Sequence, residues 1–234
     1  MDDKLVVIHQ PDFMPYAGFF DRLHQADIYV VLDNVQYVRG CKDQWTNRDR
    51  IKTRNGASWI TVNVKKRPLG TLISEVELTE EHDWRSKCKN AVWNNYKDAP
   101  FFNQVFPDIE RMFDYPCVRL MDFNLNAIKK LNDMLGIEVE MICASDLKPE
   151  GHSNELLVSI MKKLGQKRYL SGTGARDYFD ENVYRENSID VIWQEFEHPV
   201  YRQQFGEFIP YLSIIDMLLN CGIEQTRQII RGER

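Results

Sequence analysis

No apolar run in this sequence of 234 residues approaches the length of a transmembrane helix, so no membrane span is predicted. Positive charge is not in excess either. The formal net charge is −5 at pH 7, which argues against DNA or another general nucleic-acid partner. Residues 1–4 lead straight into an apolar segment and do not resemble a signal peptide. Together these features predict a cytoplasmic protein.

Cysteine is sparse and dispersed, with five residues and no Cys-x-x-Cys pair. An odd, scattered set favours a reducing compartment over a disulfide framework. The sequence also lacks a His-x-x-x-His spacing. No structural metal site is therefore expected.

Three common site motifs are missing. No Gly-x-Gly-x-x-Gly follows the first apolar segment, which argues against an NAD-binding domain. No Gly-x-Ser-x-Gly elbow is present, which argues against an α/β-hydrolase, and no Gly-x-x-x-x-Gly-Lys loop marks a P-loop protein. A nucleotide site in this chain must use another arrangement.

The first 37 residues have the pattern of a strand, a loop, a helix and a second strand. Apolar runs at 5–8 and 28–32 end in polar residues, and 16–25 has helical spacing, with two prolines in the loop before it. Parallel strands of such a unit end at one edge of the sheet, where ligands bind. We therefore expect five polar side chains to converge on one crevice: His9, Gln10, Asp33, Asn34 and Gln36.

The later part of the chain alternates strand and helix patterns. Predicted strands at 138–142, 167–171 and 190–194 alternate with predicted helices at 155–164 and 175–184. This order is typical of an α/β fold with a doubly wound, mainly parallel Rossmann-like sheet. We expect one domain over residues 1–234.

Two additions to this sheet are predicted. Asn55-Gly56 is a hairpin-turn signal, and alternating strands at 59–64 and 72–78 are expected to pair antiparallel. Helices at 84–96, 101–113 and 120–135 form a helical insertion over about residues 80–135. C-terminal helices are expected over about 208–232, with a first helix at 208–219 that Gly222 ends.

His9 and Gln10 are the first candidates for chemistry. A neutral imidazole at a strand end can accept a proton from an attacking amine, and an imidazolium can hold a phosphate. Gln10 can fix a carboxylate or an amide by two hydrogen bonds. Asp33 can act as a base or bind Mg²⁺ together with a substrate phosphate.

Three further groups are candidate binding residues. Glycine and hydroxyl groups between a predicted strand and helix suit an anion, and they are Ser171, Gly172, Thr173 and Gly174. Basic and amide side chains near Trp45, which can stack on a base or a sugar, suit a diphosphate, and they are Asn47, Arg48, Arg50 and Lys52. His198 and Tyr201 follow the last predicted strand and are expected at the same edge.

Several segments carry a resemblance to a known family. His-Gln-Pro-x-Phe-x-Pro-x-x-Gly-Phe-Phe-Asp at residues 9–21, followed by 26–37, resembles the start of the WbqC-like family. Residues 45–53, 169–175 and 208–216 also resemble that family. Its members are associated with bacterial O-antigen and other surface-polysaccharide gene clusters. The resemblance thus implies a role in O-antigen or lipopolysaccharide biosynthesis.

The opening unit is also similar in layout to pantothenate synthetase and related nucleotidyl-transferring Rossmann-like domains. Gly18 matches the glycine of their His-x-Gly-His segment, and residues 34–37 resemble their following turn. This likeness implies ATP with Mg²⁺ as cofactors. Both histidines of that segment are replaced here, by Tyr16 and Phe19, and this departure argues against ATP use.

The resemblances imply an N-acyltransferase or amide ligase acting on the amino group of a nucleotide-linked amino sugar. The transferred unit would be an acyl or aminoacyl group, such as glycyl, activated through an ATP-dependent acyl-adenylate. A second hypothesis is transfer from a pre-activated donor, coenzyme A or aminoacyl-tRNA. A third is a non-catalytic protein that binds a sugar nucleotide. The sequence predicts no oligomeric state.

Overall fold

In a computed structural model, which describes residues 3–38 and 44–233, the chain forms a parallel sheet with helices on both faces. The strands of the described residues are β1 (Leu5–His9), β2 (Ile28–Val31), β3 (Arg48–Thr53), β4 (Gly56–Thr61), β5 (Glu140–Cys143), β6 (Arg168–Ser171) and β7 (Asp190–Trp193). The α-helices are α1 (Ala17–Gln25), α2 (Trp84–Tyr96), α3 (Phe102–Phe113), α4 (Leu120–Leu135), α5 (Ala144–Leu147), α6 (Asn154–Leu164), α7 (Glu181–Glu186) and α8 (Ile214–Ile230). Every helix of these residues is too short or too polar to cross a bilayer.

The main sheet has five parallel strands in the order β5-β2-β1-β6-β7. From β1 the chain builds outward through β2 and β5 on one side, and through β6 and β7 on the other. The order of the strands therefore reverses between β1 and β6. In doubly wound sheets the crevice at this reversal, outside the carboxyl ends of the strands, is the usual ligand site.

Alternation along the strands divides the core into two layers. Val7, Tyr29 and Val31 face one cluster of buried side chains, which includes residues of α1, α2, α3, α4 and α8. Val6 and Ile8 face the other cluster, with residues of α5, α6 and α7. The predicted α/β class with a doubly wound parallel sheet is confirmed. The single-domain assignment of residues 1–234 stays a prediction.

The predicted helical insertion corresponds to α2, α3 and α4, and Gly136 ends α4 in the left-handed region, with φ of 64°. The antiparallel hairpin is also present, separate from the main sheet, but its strands are β3 and β4, joined at Asn55-Gly56.

Of the five cysteines, Cys41 lies outside the described residues.

The strand predicted at 72–78 is wrong. This segment contains a 3-10 helix, Ile73–Glu75, and isolated bridges that join Gln36 to Leu72 and Val64 to Leu78. Ile73, Val76 and Leu78 are all buried. A spacing of three and then two residues puts these side chains on one side only if the backbone turns between them.

The helix predicted at 175–184 is also wrong. A 3-10 helix, Thr173–Tyr178, comes first, and α7 starts only at Glu181. The Asp180 carboxylate accepts a hydrogen bond from the Asn182 amide, 3.0 Å away. An aspartate in this position starts a new helix rather than continuing one.

The helix predicted from residue 208 begins only at Ile214. Pro210 has no backbone N–H, and Ser213 caps α8 by accepting from the Ile215 amide. Residues 195–212 contain no helix or strand, and we call them the strap. The helix then runs to Ile230, with a non-helical break at Gly222, where the predicted boundary lies.

The strap crosses the hairpin and is held by a buried polar network. Both oxygens of Asp216, which is 0% exposed, accept hydrogen bonds: Oδ1 from the Tyr96 hydroxyl at 2.7 Å, and Oδ2 from the Tyr201 hydroxyl at 2.7 Å and the Gln203 amide at 2.8 Å. The Lys52 ammonium donates to Gln203 Oε1, 3.1 Å away. These bonds join β3, α2, α8 and the strap.

Candidate functional site

The reversal point between β1 and β6 holds a cluster of ionisable side chains. His9 ends β1, Asp12 lies in the loop that follows, and Arg22 comes from α1. The segment after β6 begins with Gly172. The topology of the sheet brings these four residues together from three parts of the chain.

His9 is held as a neutral imidazole. Its Nδ1 lies 2.9 Å from the Gln10 carbonyl and 3.6 Å from Asp12 Oδ2, and its ring packs edge-on against Phe19, with centroids 5.4 Å apart. Burial, and then the charge of Arg22, lower the pKa of His9 to about 3. Because the carbonyl needs a donor, we assign the proton to Nδ1. The lone pair of Nε2 is then able to accept a proton.

Arg22 is a buried cation. It is only 6% exposed, and its Nε is buried with no hydrogen-bond partner. Within residues 3–38 and 44–233, no carboxylate forms an ion pair with it. A buried charge without a partner is costly, and a ligand that supplies the counter-charge would remove that cost. A planar guanidinium matches a phosphate or a carboxylate.

The glycine after β6 lies directly against this arginine. A β-carbon placed on Gly172 would overlap Nη1 of Arg22. The guanidinium therefore reaches from α1 to the loop after β6, across the crevice between the two halves of the sheet.

The carboxyl group of Asp12 does not neutralise Arg22 fully, and a second buried acid, Asp49, lies close to Asp12. Burial raises the pKa of Asp12 to about 7, although Arg22 acts in the opposite direction. Asp49 on β3 is 3% exposed, and burial raises the pKa of its carboxyl well above the usual range. At neutral pH the crevice thus carries the cation of Arg22 beside a partly protonated Asp12, which suits an anionic ligand.

The loop after β1 is fixed on several sides. The Asn124 amide donates to the carbonyls of Pro11 and Thr46, both at 2.7 Å. The Ser213 hydroxyl donates to the Met14 carbonyl at 2.6 Å. The Thr46 hydroxyl lies 3.3 Å from Gln10 Oε1 and donates to it. Little reorganisation is needed for His9 and Gln10 to meet a ligand.

The five polar residues expected to converge do not all do so. His9 and Gln10 lie together in the loop after β1. Both oxygens of Asp33 accept from Ser145, Oδ1 from the amide at 2.9 Å and Oδ2 from the hydroxyl at 2.6 Å. Asp33 therefore secures the start of α5 instead of serving as the predicted base or metal ligand. Asn34 Oδ1 is buried without a partner, while Gln36 is exposed and bridges to Leu72.

The predicted basic cluster is split by the structure. Lys52 is 1% exposed, and its ammonium is bonded to Gln203 and to the Glu207 carbonyl, so it belongs to the strap network rather than to a diphosphate site. Asn47 is buried, with its amide donating to the Val62 carbonyl at 3.0 Å. Arg48 and Arg50 remain at the outer face of the hairpin, against Trp59.

The segment 171–174 is a binding loop only in part. Ser171 is buried and Gly172 contacts Arg22, but Thr173 and Gly174 are exposed in a 3-10 helix of six residues. The predicted anion site at the start of an α-helix is therefore not formed. Gly172 is the member that adjoins the cluster around His9.

His198 and Tyr201 lie in the strap. The ring of His198 is surrounded by aromatic rings, those of Phe196, Tyr201, Phe208 and Tyr211, and burial lowers its pKa. The Tyr201 hydroxyl is committed to Asp216, and burial raises its pKa. Both residues build the strap, which reaches the crevice through Tyr211 against Tyr16, with ring centroids 5.9 Å apart.

Sequence reasoning missed Asp12, Arg22 and Asp49. Arg22 follows Phe19 by three residues on α1 and so shares its buried side, a spacing that the sequence shows. No comparable signal identifies Asp12 or Asp49. Within the described ranges, no group of three or more His, Cys, Asp or Glu is placed to hold a metal ion.

Comparisons with known proteins complete this description. A sequence profile of the WbqC-like protein family matches residues 10–228. A protein of Mycobacterium tuberculosis described as "Uncharacterized protein Rv1507c" is 30% identical over 223 residues, which covers 94% of this chain and 95% of the relative. No solved structure matches the chain significantly.

Proposed function

This chain belongs to the WbqC-like protein family, and from that premise we propose that it is a cytoplasmic enzyme of surface-polysaccharide (O-antigen) biosynthesis. It transfers an acyl or aminoacyl unit, such as glycyl, to the amino group of a nucleotide-linked amino sugar. The observation that supports this most is the buried, unpaired Arg22 beside the neutral imidazole of His9. Together they offer an anchor for a phosphate and a base for an amine.

In this reaction Arg22 holds the diphosphate of the sugar nucleotide against Gly172. The amine nitrogen attacks the acyl carbonyl, and Nε2 of His9 accepts the proton that the nitrogen loses. The anion bound at Arg22 offsets the positive charge that helps to lower the pKa of His9, so the imidazole is a stronger base in the complex than in the free protein. The bond between the carbonyl carbon and the donor's sulfur or oxygen then breaks, and the imidazolium returns the proton to that leaving group. Gln10 orients the amine or the carbonyl through its amide.

A pre-activated donor is favoured over ATP. Phe19 and Tyr16 stand where two imidazoles would be needed for adenylate formation, and Phe19 is 1% exposed in the core. Tyr16 contacts Phe196 and Tyr211 in an aromatic cluster. The residues present thus suit an acyl transfer and the binding of one diphosphate, but they do not suit the binding of the triphosphate of ATP with its Mg²⁺.

The test combines purified protein with dTDP-, UDP- or GDP-linked amino sugars and one of three donors: acetyl-coenzyme A, glycyl-tRNA, or glycine with ATP and Mg²⁺. Mass spectrometry detects the amide, and a coupled assay detects pyrophosphate. We expect an amide without pyrophosphate release. Pyrophosphate release would indicate the ATP-dependent ligase, and binding without any product would indicate a non-catalytic protein.

His9→Asn keeps a planar polar side chain but removes the base. We expect turnover to fall by about 10²–10⁴-fold, with binding of the sugar nucleotide retained. His152→Asn is the matched control, because His152 is exposed and outside the crevice. Full activity of His9→Asn would reject the role of His9.

A further inference from the structure

The outer face of the hairpin carries aromatic and basic side chains together. We call Trp45, Arg48, Arg50 and Trp59 the platform. The rings of Trp45 and Trp59 lie 5.3 Å apart between centroids, the guanidinium of Arg48 lies 4.2 Å from the Trp59 centroid, and that of Arg50 lies 5.7 Å from the Trp45 centroid. Planar rings and guanidinium groups are the surfaces on which nucleobases stack.

The pairing of β3 with β4 explains why these groups share one face. Arg50 is paired with Trp59, and Arg48 lies two residues before Arg50 on the same side of the strand. Asp49 and Ile51 point to the opposite, buried face. Trp59 is 41% exposed and the other three members of the platform are partly exposed, whereas Lys52, further along the same side of β3, is covered by the strap.

The platform adjoins the crevice at Gln10. Thr46, the residue after Trp45, donates to the Gln10 side chain at 3.3 Å, and the Phe13 amide donates to the Trp45 carbonyl at 2.9 Å. Arg22 and the platform thus both adjoin the loop that carries His9 and Gln10.

A transfer reaction needs two binding regions next to the base, because the base acts where the acceptor amine meets the acyl donor. If Arg22 holds the diphosphate of the acceptor, the platform is left for the donor. We propose that the platform stacks the nucleobase of the acyl donor, an inference that rests on the proposed acyl transfer. That base is adenine both in coenzyme A and at the 3′ end of aminoacyl-tRNA.

The first test is calorimetric titration of the full chain with AMP, ribose 5-phosphate and inorganic pyrophosphate. Stacking of one base is worth roughly 5- to 150-fold in affinity, so AMP is expected to bind that much more tightly than ribose 5-phosphate. Trp59→Ala should remove this difference and leave pyrophosphate binding unchanged. Arg22→Met should abolish pyrophosphate binding and leave AMP binding unchanged.

Trp93→Ala is the matched control. Trp93 is 47% exposed on α2, and its ring packs against Phe102 and Phe106 rather than near Gln10. Its replacement should change neither affinity. Equal loss of AMP binding in both tryptophan variants, or an unchanged AMP preference in Trp59→Ala, would overturn the proposal.

Competition identifies the source of the base. Coenzyme A and a 5′-phosphorylated CCA oligonucleotide are each titrated against bound AMP. Displacement of AMP by either compound supports the platform as the donor site and identifies which donor binds there. UDP should displace AMP less well than coenzyme A or the oligonucleotide, because uracil stacks more weakly than adenine, and displacement by UDP at equal or lower concentration would overturn the assignment to the donor. If AMP binding depends on Trp59 but no amide is formed, the proposed acyl transfer is rejected and the platform as a base-binding site is retained. If the amide is formed and Trp59→Ala leaves the KM for the donor unchanged, the role of the platform is rejected and the acyl transfer is retained.

Discussion

Replacing Arg22 by methionine should stabilise the ligand-free protein. Methionine fills much of the same space, without a charge that must be buried. Arg22 is 6% exposed, and its Nε has no partner, so the unsatisfied group costs about 1–3 kcal/mol in the folded state. The small void left by methionine costs about 1 kcal/mol. We expect a net gain of up to about 2 kcal/mol in the free energy of unfolding, or up to about 8 °C in Tm.

The assay is urea unfolding at low phosphate, followed by thermal unfolding with and without pyrophosphate. Pyrophosphate should raise the Tm of the wild type by mass action but not that of Arg22→Met. Arg85→Met is the matched control, because Arg85 is also largely covered but donates to the carbonyls of Phe113 and Tyr115. The free energy of unfolding of Arg85→Met should be about 1–3 kcal/mol lower than that of the wild type.

A loss of stability in Arg22→Met as large as that in Arg85→Met would refute the reasoning. It would mean that Arg22 is already satisfied by the protein and serves the fold. An unchanged response of Arg22→Met to pyrophosphate would refute the anion site itself.

Two more predictions concern stability. The folded-state pKa of Asp12, about 7, lies above its usual value of 3.8, so the folded state binds this proton more tightly and the contribution of Asp12 to stability should fall as the pH rises from about 4 to 7. Asp12→Asn should reduce this pH-dependent loss of stability by roughly 2–4 kcal/mol, measured by urea unfolding at several pH values. An unchanged pH dependence would contradict the raised pKa of Asp12. Asp216→Ala should lower the free energy of unfolding by about 3–5 kcal/mol, because it leaves the hydroxyls of Tyr96 and Tyr201 without their buried acceptor and removes the negative charge near Lys52. A variant as stable as the wild type in the same assay would show that the network adds nothing to the fold.

The sheet could be predicted because its signals are local. The apolar runs before His9 and Asp33 mark β1 and β2, and residues 84–96 and 120–135 show helical spacing. The errors arose where one residue outweighs a pattern. Residues 208–219 have helical spacing, but Pro210 delays the helix until Ile214.

The site was harder to predict because its contacts are distant in sequence. Lys52 has the charge expected of a diphosphate ligand, but residues of the strap about 150 positions later cover it. Asp33 lies at the expected edge of the sheet, yet Ser145 takes both of its oxygens. The contact of Arg22 with Gly172 depends on how α1 packs against the loop after β6. Composition and spacing do not contain this information.

The loop that carries His9 is held by residues from the other end of the chain. The Ser213 hydroxyl binds the Met14 carbonyl across a separation of 199 residues, and the Ile214 amide binds the Pro15 carbonyl at 2.9 Å. During synthesis this loop leaves the ribosome early, whereas its clamps leave it close to the end. Contacts of such long range form late in folding. A nascent chain that lacks α8 therefore has the strands without the finished crevice, so ligand binding begins only when synthesis is nearly complete.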